Sequence, residues 1–145
     1  MRLEGEHATE ALGRRLARVL QAGDVVALSG DLGAGKTVLA RGILRGLGFD
    51  GDVASPTFPI VIPYDALNPP AWHVDLYRIE EPGEIAELGL DEALADGVLI
   101  IEWPERVGAD LWPHALRLGL SREGEGARAL TAQVPAAWGE RWPPR

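Results

Sequence analysis

An α/β fold, a sheet covered by helices, is predicted by three features of this 145-residue sequence. The apolar run Val25–Ser29 (VVALS) reads as a buried strand. It leads straight into a glycine-rich loop. Beyond the loop, Val38, Leu39, Ile43, Leu44 and Leu47 recur at helical spacing. Strand, loop and helix in that order place a ligand at the carboxyl end of the strand.

Ahead of that strand, Leu12, Leu16, Val19 and Leu20 predict a helix from Thr9 that stops at Gly23. The helix after the loop stops at Gly48. Prolines at 56, 63, 69 and 70 then break the chain, and 58–64 and 72–77 read as the strands of a hairpin. Pro82 opens a short helix, and Asp91 caps another that ends at Gly97. Residues 98–101 (VLII) form a second buried strand, stopped at Glu102-Trp103-Pro104. Residues 116–120 and 129–134 predict a C-terminal hairpin around the charged turn 122–126. The last residues, AAWGERWPPR, read as a surface tail or partner-contact segment. No internal repeat or domain-sized linker interrupts the chain, so one domain spans 1–145, with its core at about 5–134.

Composition narrows the function. The chain contains no cysteine, which excludes disulfides, thiolate zinc sites and cysteine nucleophiles. Fourteen basic and 22 acidic side chains leave a net charge of −8, against a protein whose main task is gripping a nucleic-acid backbone. The first ten residues lack a basic and apolar leader, and the apolar run 98–101 is too short to cross a bilayer. The expectation is a soluble, cytoplasmic protein with no membrane partner. Thirteen of the basic residues are arginine and the single lysine is Lys36. Compositional bias explains the thirteen; a compact ammonium retained at one position indicates a task that a planar guanidinium cannot perform.

That lysine lies in Gly30-Asp31-Leu32-Gly33-Ala34-Gly35-Lys36-Thr37, which fits the Walker A pattern at every fixed position. The glycines let consecutive backbone N–H groups turn inward as an anion nest, and the next helix presents its positive end to the same phosphates. Lys36 reaches β- and γ-phosphate oxygens, and the Thr37 hydroxyl suits Mg²⁺. The base is expected to be adenine: guanine readers usually carry Asn-Lys-x-Asp, but the only asparagine is Asn68 and the only lysine is in the loop. Mg²⁺ also needs carboxylates at neighbouring strand ends, and two are placed for it. Asp75 alternates away from Val74 and Leu76, and Glu102 closes the VLII strand. Each also reads as an ordinary solvated or ion-paired carboxylate.

Four motifs in order, GDLGAGKT at 30–37, Ser55-Pro56-Thr57-Phe58, Asp75-Leu76-Tyr77-Arg78 and Glu102-Trp103-Pro104, resemble the TsaE (YjeE) family of bacterial P-loop ATPases. Ala8-Thr9 and Leu12-Gly13 fit too, and the resemblance covers about 5–134. It implies a single P-loop NTPase domain with a central mixed, partly antiparallel sheet flanked by helices. It implies ATP and Mg²⁺ as cofactors, and TsaD and TsaB as partners in threonylcarbamoyladenosine modification of tRNA A37, with tRNA contacted indirectly or weakly. By the same resemblance, Lys36 and the loop residues Asp31, Leu32, Gly33, Ala34, Gly35 and Thr37 hold the phosphates, while Thr37 and Glu102 ligate the metal. Asp75 becomes the Walker-B-like carboxylate, on the metal through water or orienting the attacking water. Ser55 and Thr57 belong to a segment that senses the γ-phosphate, and Glu6 and Gly126 approach the base or ribose. Catalysis is thereby assigned to Lys36, Asp75 and Glu102, in an ATPase that is slow without its partners.

Other residues have plainer readings. Trp103 packs beside a nucleotide or partner, or is an ordinary half-buried tryptophan. His73 reads as a strand residue, because no second histidine sits at ligand spacing. Arg14, Arg15, Arg18, Arg41 and Arg45 read as a solvated helical face, with a partner or tRNA patch as the alternative. Arg78 reads as a partner for Asp75 rather than as an arginine finger. The competing function is a small-molecule P-loop kinase, which needs an acceptor pocket and an arginine-bearing lid. No such lid segment stands out after the second helix.

Overall fold

The computed structural model describes residues 1–31, 33–53, 61–106 and 112–144. Its elements run β1 (Arg2–Glu4), α1 (Gly5–Ala17), β2 (Val25–Ser29), α2 (Lys36–Gly46), β3 (Val61–Tyr64), β4 (Ala71–Asp75), α3 (Leu90–Asp96), β5 (Val98–Glu102), β6 (Leu116–Glu123) and β7 (Ala127–Gln133). Three 3₁₀ segments, Pro82–Leu88, Pro104–Arg106 and Ala136–Arg141, complete it.

The strands form one seven-stranded sheet ordered β1-β7-β6-β2-β5-β4-β3. Its centre is parallel: β2 lies between β5 and β6, and β4 pairs β5. Its flanks are antiparallel, through β3–β4, β6–β7 and β1–β7. This is the expected mixed sheet, and burial on both faces explains why its central strands read as continuous apolar runs. On one face Val26, Leu28, Ile100 and Leu118 pack under α1 and α2. On the other, Val25, Ala27, Leu99 and Ile101 pack under Ile85, Leu90 and Trp112.

Several local expectations change; among them, β6 runs to Glu123, into the proposed 122–126 turn, and β7 begins at Ala127 rather than 129. The first helix begins at Gly5 rather than Thr9 and closes at Ala17, with Val19 and Leu20 in tight turns beyond it. Strand β1 was not anticipated: its three residues are too few for a period, and it exists by pairing with β7. Residues 58–60 of the proposed first hairpin strand lie outside the described residues, and β4 ends at Asp75 rather than Tyr77. Helix α3 starts at Leu90, with Gly89 at the cap position that sequence assigned to Asp91. The supposed surface tail is no tail: Trp138 is buried within the α1–α2 core. Arg141 there binds the Asp24 carboxylate through two bonds of 2.7 and 3.1 Å.

No described helix is long and apolar enough to cross a membrane.

Candidate functional site

The carboxyl ends of β2, β4 and β5 meet the amino end of α2 at a cavity of about 430 Å³. The loop from β2 to α2 needs backbone freedom that only glycine supplies cheaply. Gly30, Gly33 and Gly35 have φ of 143, 79 and 111°. At Gly30 a Cβ would stand 2.4 Å from the Leu120 carbonyl oxygen. The turn is closed by the Ala34 N–H donating to the Asp31 carbonyl at 3.0 Å, and Gly35 stands at the cap position of α2.

Lys36, the first residue of α2, is buried and lines the cavity. Its ammonium donates to the Gly30 carbonyl and sits 3.5 Å from the centre of the Trp103 ring. Burial lowers its pKa, against the pull of Glu102, Glu105, Asp75 and Asp31. The indole is brought there by a backbone departure: Trp103 has φ 61°, a left-handed conformation unusual for a bulky residue and a strain of about 1–3 kcal/mol. Tyr77 supports the indole, with ring centroids 4.9 Å apart.

Two carboxylates face the same space because β4 and β5 pair in parallel with Asp75 opposite Glu102. Asp75 and Glu102 are 5% and 3% exposed, far below the usual exposure of acidic side chains. Burial raises the Asp75 pKa; the Tyr77 N–H, donating to Oδ1 at 2.9 Å, opposes this, while the Glu102 charge adds to it. The Thr37 hydroxyl lies 3.4 Å from Glu102 Oε1. His73 Nε2 lies 2.6 Å from Glu102 Oε2, inside the fold, while its Nδ1 has no partner among the described residues. An orphaned buried nitrogen of this kind costs about 1–3 kcal/mol.

Of the residues singled out from sequence, Glu6, Gly33, Gly35, Lys36, Thr37, Asp75 and Glu102 line this one cavity. Asp31 and Ala34 belong to its loop without lining it. Gly126 does not line it either; its carbonyl accepts the Gly5 N–H at 2.6 Å and ties the β6–β7 turn to α1 beside Glu6. Leu32, Ser55 and Thr57 lie outside the described residues. Arg78 lines the cavity but, among the described residues, makes no ion pair with Asp75. The helical arginines are not simply solvated. Arg14, Arg41 and Arg45 all converge on Glu10, and Arg41 also reaches Glu6.

Thr9 and Tyr77, which entered the sequence reading only as motif positions, and Arg128, which did not enter it, also stand on the cavity wall. Arg128 donates to the Gly33 carbonyl at 3.3 Å, but it is 95 residues from it in the chain, so no local pattern could flag it. His73 did carry a signal: a histidine two residues before Asp75 on a strand shares its face.

Chemically, a glycine-rich loop, a helix amino terminus and an ammonium suit a polyanion. The Thr37, Asp75 and Glu102 oxygens suit a hard divalent cation, which in phosphate sites needs only one or two carboxylates because phosphates and waters complete its shell.

The model of the family described as "Threonylcarbamoyl adenosine biosynthesis protein TsaE" matches residues 3–130. A Streptomyces coelicolor protein named tRNA threonylcarbamoyladenosine biosynthesis protein TsaE is 46% identical, across 90% of this chain and 91% of its own length. A protein of the same name from Bacillus subtilis is 39% identical, across 85% of this chain and 77% of its own. The crystal structure of Bacillus subtilis YdiB superposes with a TM-score of 0.80 at 32% identity, over 95% of this chain and 86% of that one.

Proposed function

The chain belongs to the TsaE family, and on that premise we propose that it serves threonylcarbamoyladenosine formation on tRNA by binding ATP with Mg²⁺ and hydrolysing it to ADP and phosphate. The observation that carries this is convergence. Lys36 and Thr37 of the Walker A loop share one cavity with Asp75 and Glu102, from strands 38 and more residues away.

Each residue has a task there. The loop amides and Lys36 hold the β- and γ-phosphates, where the ammonium offsets charge that builds up as the γ-phosphoryl group leaves. Thr37 and Glu102 would hold Mg²⁺, which would neutralise phosphate charge there. Asp75, its carboxylate fixed by the Tyr77 amide, orients the attacking water towards the γ-phosphorus. Trp103 and Tyr77 wall the cavity and limit the entry of other water. Glu6, which lines the same cavity, approaches the base or ribose.

The partners we propose are TsaD and TsaB, with tRNA reached through them, in the cytoplasm. Turnover by the chain alone is slow, because no cationic lid closes over the cavity among the described residues, and docking speeds it. An arginine supplied by a partner adds about 10³-fold or more in other NTPases. The test is phosphate release by the purified protein, alone and with saturating TsaD and TsaB. Slow release that rises with partners and needs Mg²⁺ is the expected result. Fast release with no response to partners removes the proposed cycle, and transfer to an added small-molecule acceptor restores the kinase reading.

A further inference from the structure

We propose that His73 is a positioning residue that orients the Glu102 carboxylate for its metal; this rests on the ATP and Mg²⁺ reading above. The sheet places it for that. On β4, Ala71, His73 and Asp75 point to the face covered by α1 and α2, and on β5, Val98, Ile100 and Glu102 point to the same face. The register sets His73 beside Ile100 on one side and Ile62 on the other, one step inward from the Asp75–Glu102 pair. Its cross-strand neighbours are both isoleucines, yet the position holds an imidazole that is 0% exposed.

The ring makes a single polar contact among the described residues, from Nε2 to Glu102 Oε2 at 2.6 Å. A carboxylate accepts, so Nε2 carries the hydrogen and donates. The opposite tautomer would face two acceptors at that distance and leave an N–H buried without a partner. The effect of this hydrogen bond is on Glu102, whose side chain otherwise rotates about three bonds. With Oε2 anchored from below, the carboxylate is held at the cavity floor, the Thr37 hydroxyl standing 3.4 and 3.5 Å from its two oxygens. Hydrogen bonds that orient metal ligands in this way typically carry about 10–100-fold in metal affinity.

The test compares His73→Gln, His73→Asn and His73→Leu in the full chain. A Gln amide nitrogen reaches about as far as Nε2, whereas Asn reaches only as far as Nδ1 and Leu donates nothing. ADP affinity is measured by calorimetry across a Mg²⁺ series and in EDTA, and circular dichroism checks the fold. Asn and Leu are expected to need about 10-fold or more Mg²⁺ for the half-maximal effect on ADP binding. Gln stays near the parent, and all variants match the parent in EDTA. A purely structural role moves Asn and Gln alike, or weakens ADP equally with and without Mg²⁺; either result overturns the proposal. If Leu does not fold, the Asn–Gln contrast decides alone. A parent protein whose ADP affinity ignores Mg²⁺ overturns the proposal together with the reading beneath it. A responsive parent with unshifted Asn and Leu midpoints overturns only the role of His73.

Discussion

Lys36 is held between a carbonyl and an aromatic face in a setting that disfavours its charge. A group whose pKa is lowered on folding costs stability wherever it is charged, so this ammonium is not there to hold the fold. Lys36→Ala is therefore expected to keep its circular dichroism spectrum and lose about 10²-fold or more in phosphate release. Lys36→Arg is expected to be nearly as impaired, because a wide planar guanidinium cannot take the place of the compact ammonium that donates to the Gly30 carbonyl inside the glycine loop. Parent-like phosphate release by either variant would remove the loop from the mechanism. The single lysine in a chain of arginines singles out Lys36 from sequence alone. The Trp103 platform is not legible there, since its left-handed backbone depends on the turn that follows β5.

At the scale of elements, the site stands on how closely α1 and α2 pack. Three glycines make that approach: Gly13 on α1, and Gly42 and Gly46 on α2. A Cβ at Gly42 would lie 2.2 Å from the Glu10 carbonyl oxygen, a backbone atom that cannot turn aside. Gly42→Ala is expected to lower stability to urea by about 1–3 kcal/mol despite the better helix propensity of alanine. An unchanged or raised midpoint would show that the helices can part at no cost. Above that contact, Glu10 joins the helices through Arg14, Arg41 and Arg45, at 3.2–3.4 Å. Burial alone would raise the Glu10 pKa, but the Arg14 hydrogen bond and the charges of Arg41, Arg14 and Arg45 outweigh it and lower the value. A carboxylate with a lowered pKa adds stability above its ordinary titration range and loses it as the pH falls through the lowered value. Glu10→Gln should accordingly cost about 1 kcal/mol at neutral pH. The deficit should close as the pH falls below the usual glutamate range; a pH-independent deficit would argue for packing instead.

At the scale of the whole molecule, the carboxyl-terminal segment closes the face of the sheet that carries the site. Trp138 is buried beside α1 and α2, and Arg141 covers its ring at 4.1 Å while binding Asp24 just ahead of β2. The chain end is thereby fastened to the strand that leads into the phosphate loop. Trp138→Ala is expected to lose about 3–5 kcal/mol, read from urea unfolding, with ADP affinity little changed in the fraction that remains folded. A loss below about 1 kcal/mol would return these residues to the status of a surface tail.

The sequence by itself determined the α/β class, the strand Val25–Ser29, the glycine-rich Walker A loop with Lys36 and Thr37, and the family. These are legible because local rules carry them: periodicity reports burial, and a nest needs glycines at set spacing. Asp75 and Glu102 were found as isolated carboxylates at strand ends. That they face each other follows from the parallel register of β4 and β5, which no local pattern states. Only the tertiary structure decided that His73 bonds Glu102, that Arg128 reaches Gly33 and that Trp138 is core. Each depends on segments brought together by folding. Side-chain identity fixes what a residue can do, but pairing and packing across the chain fix what it meets.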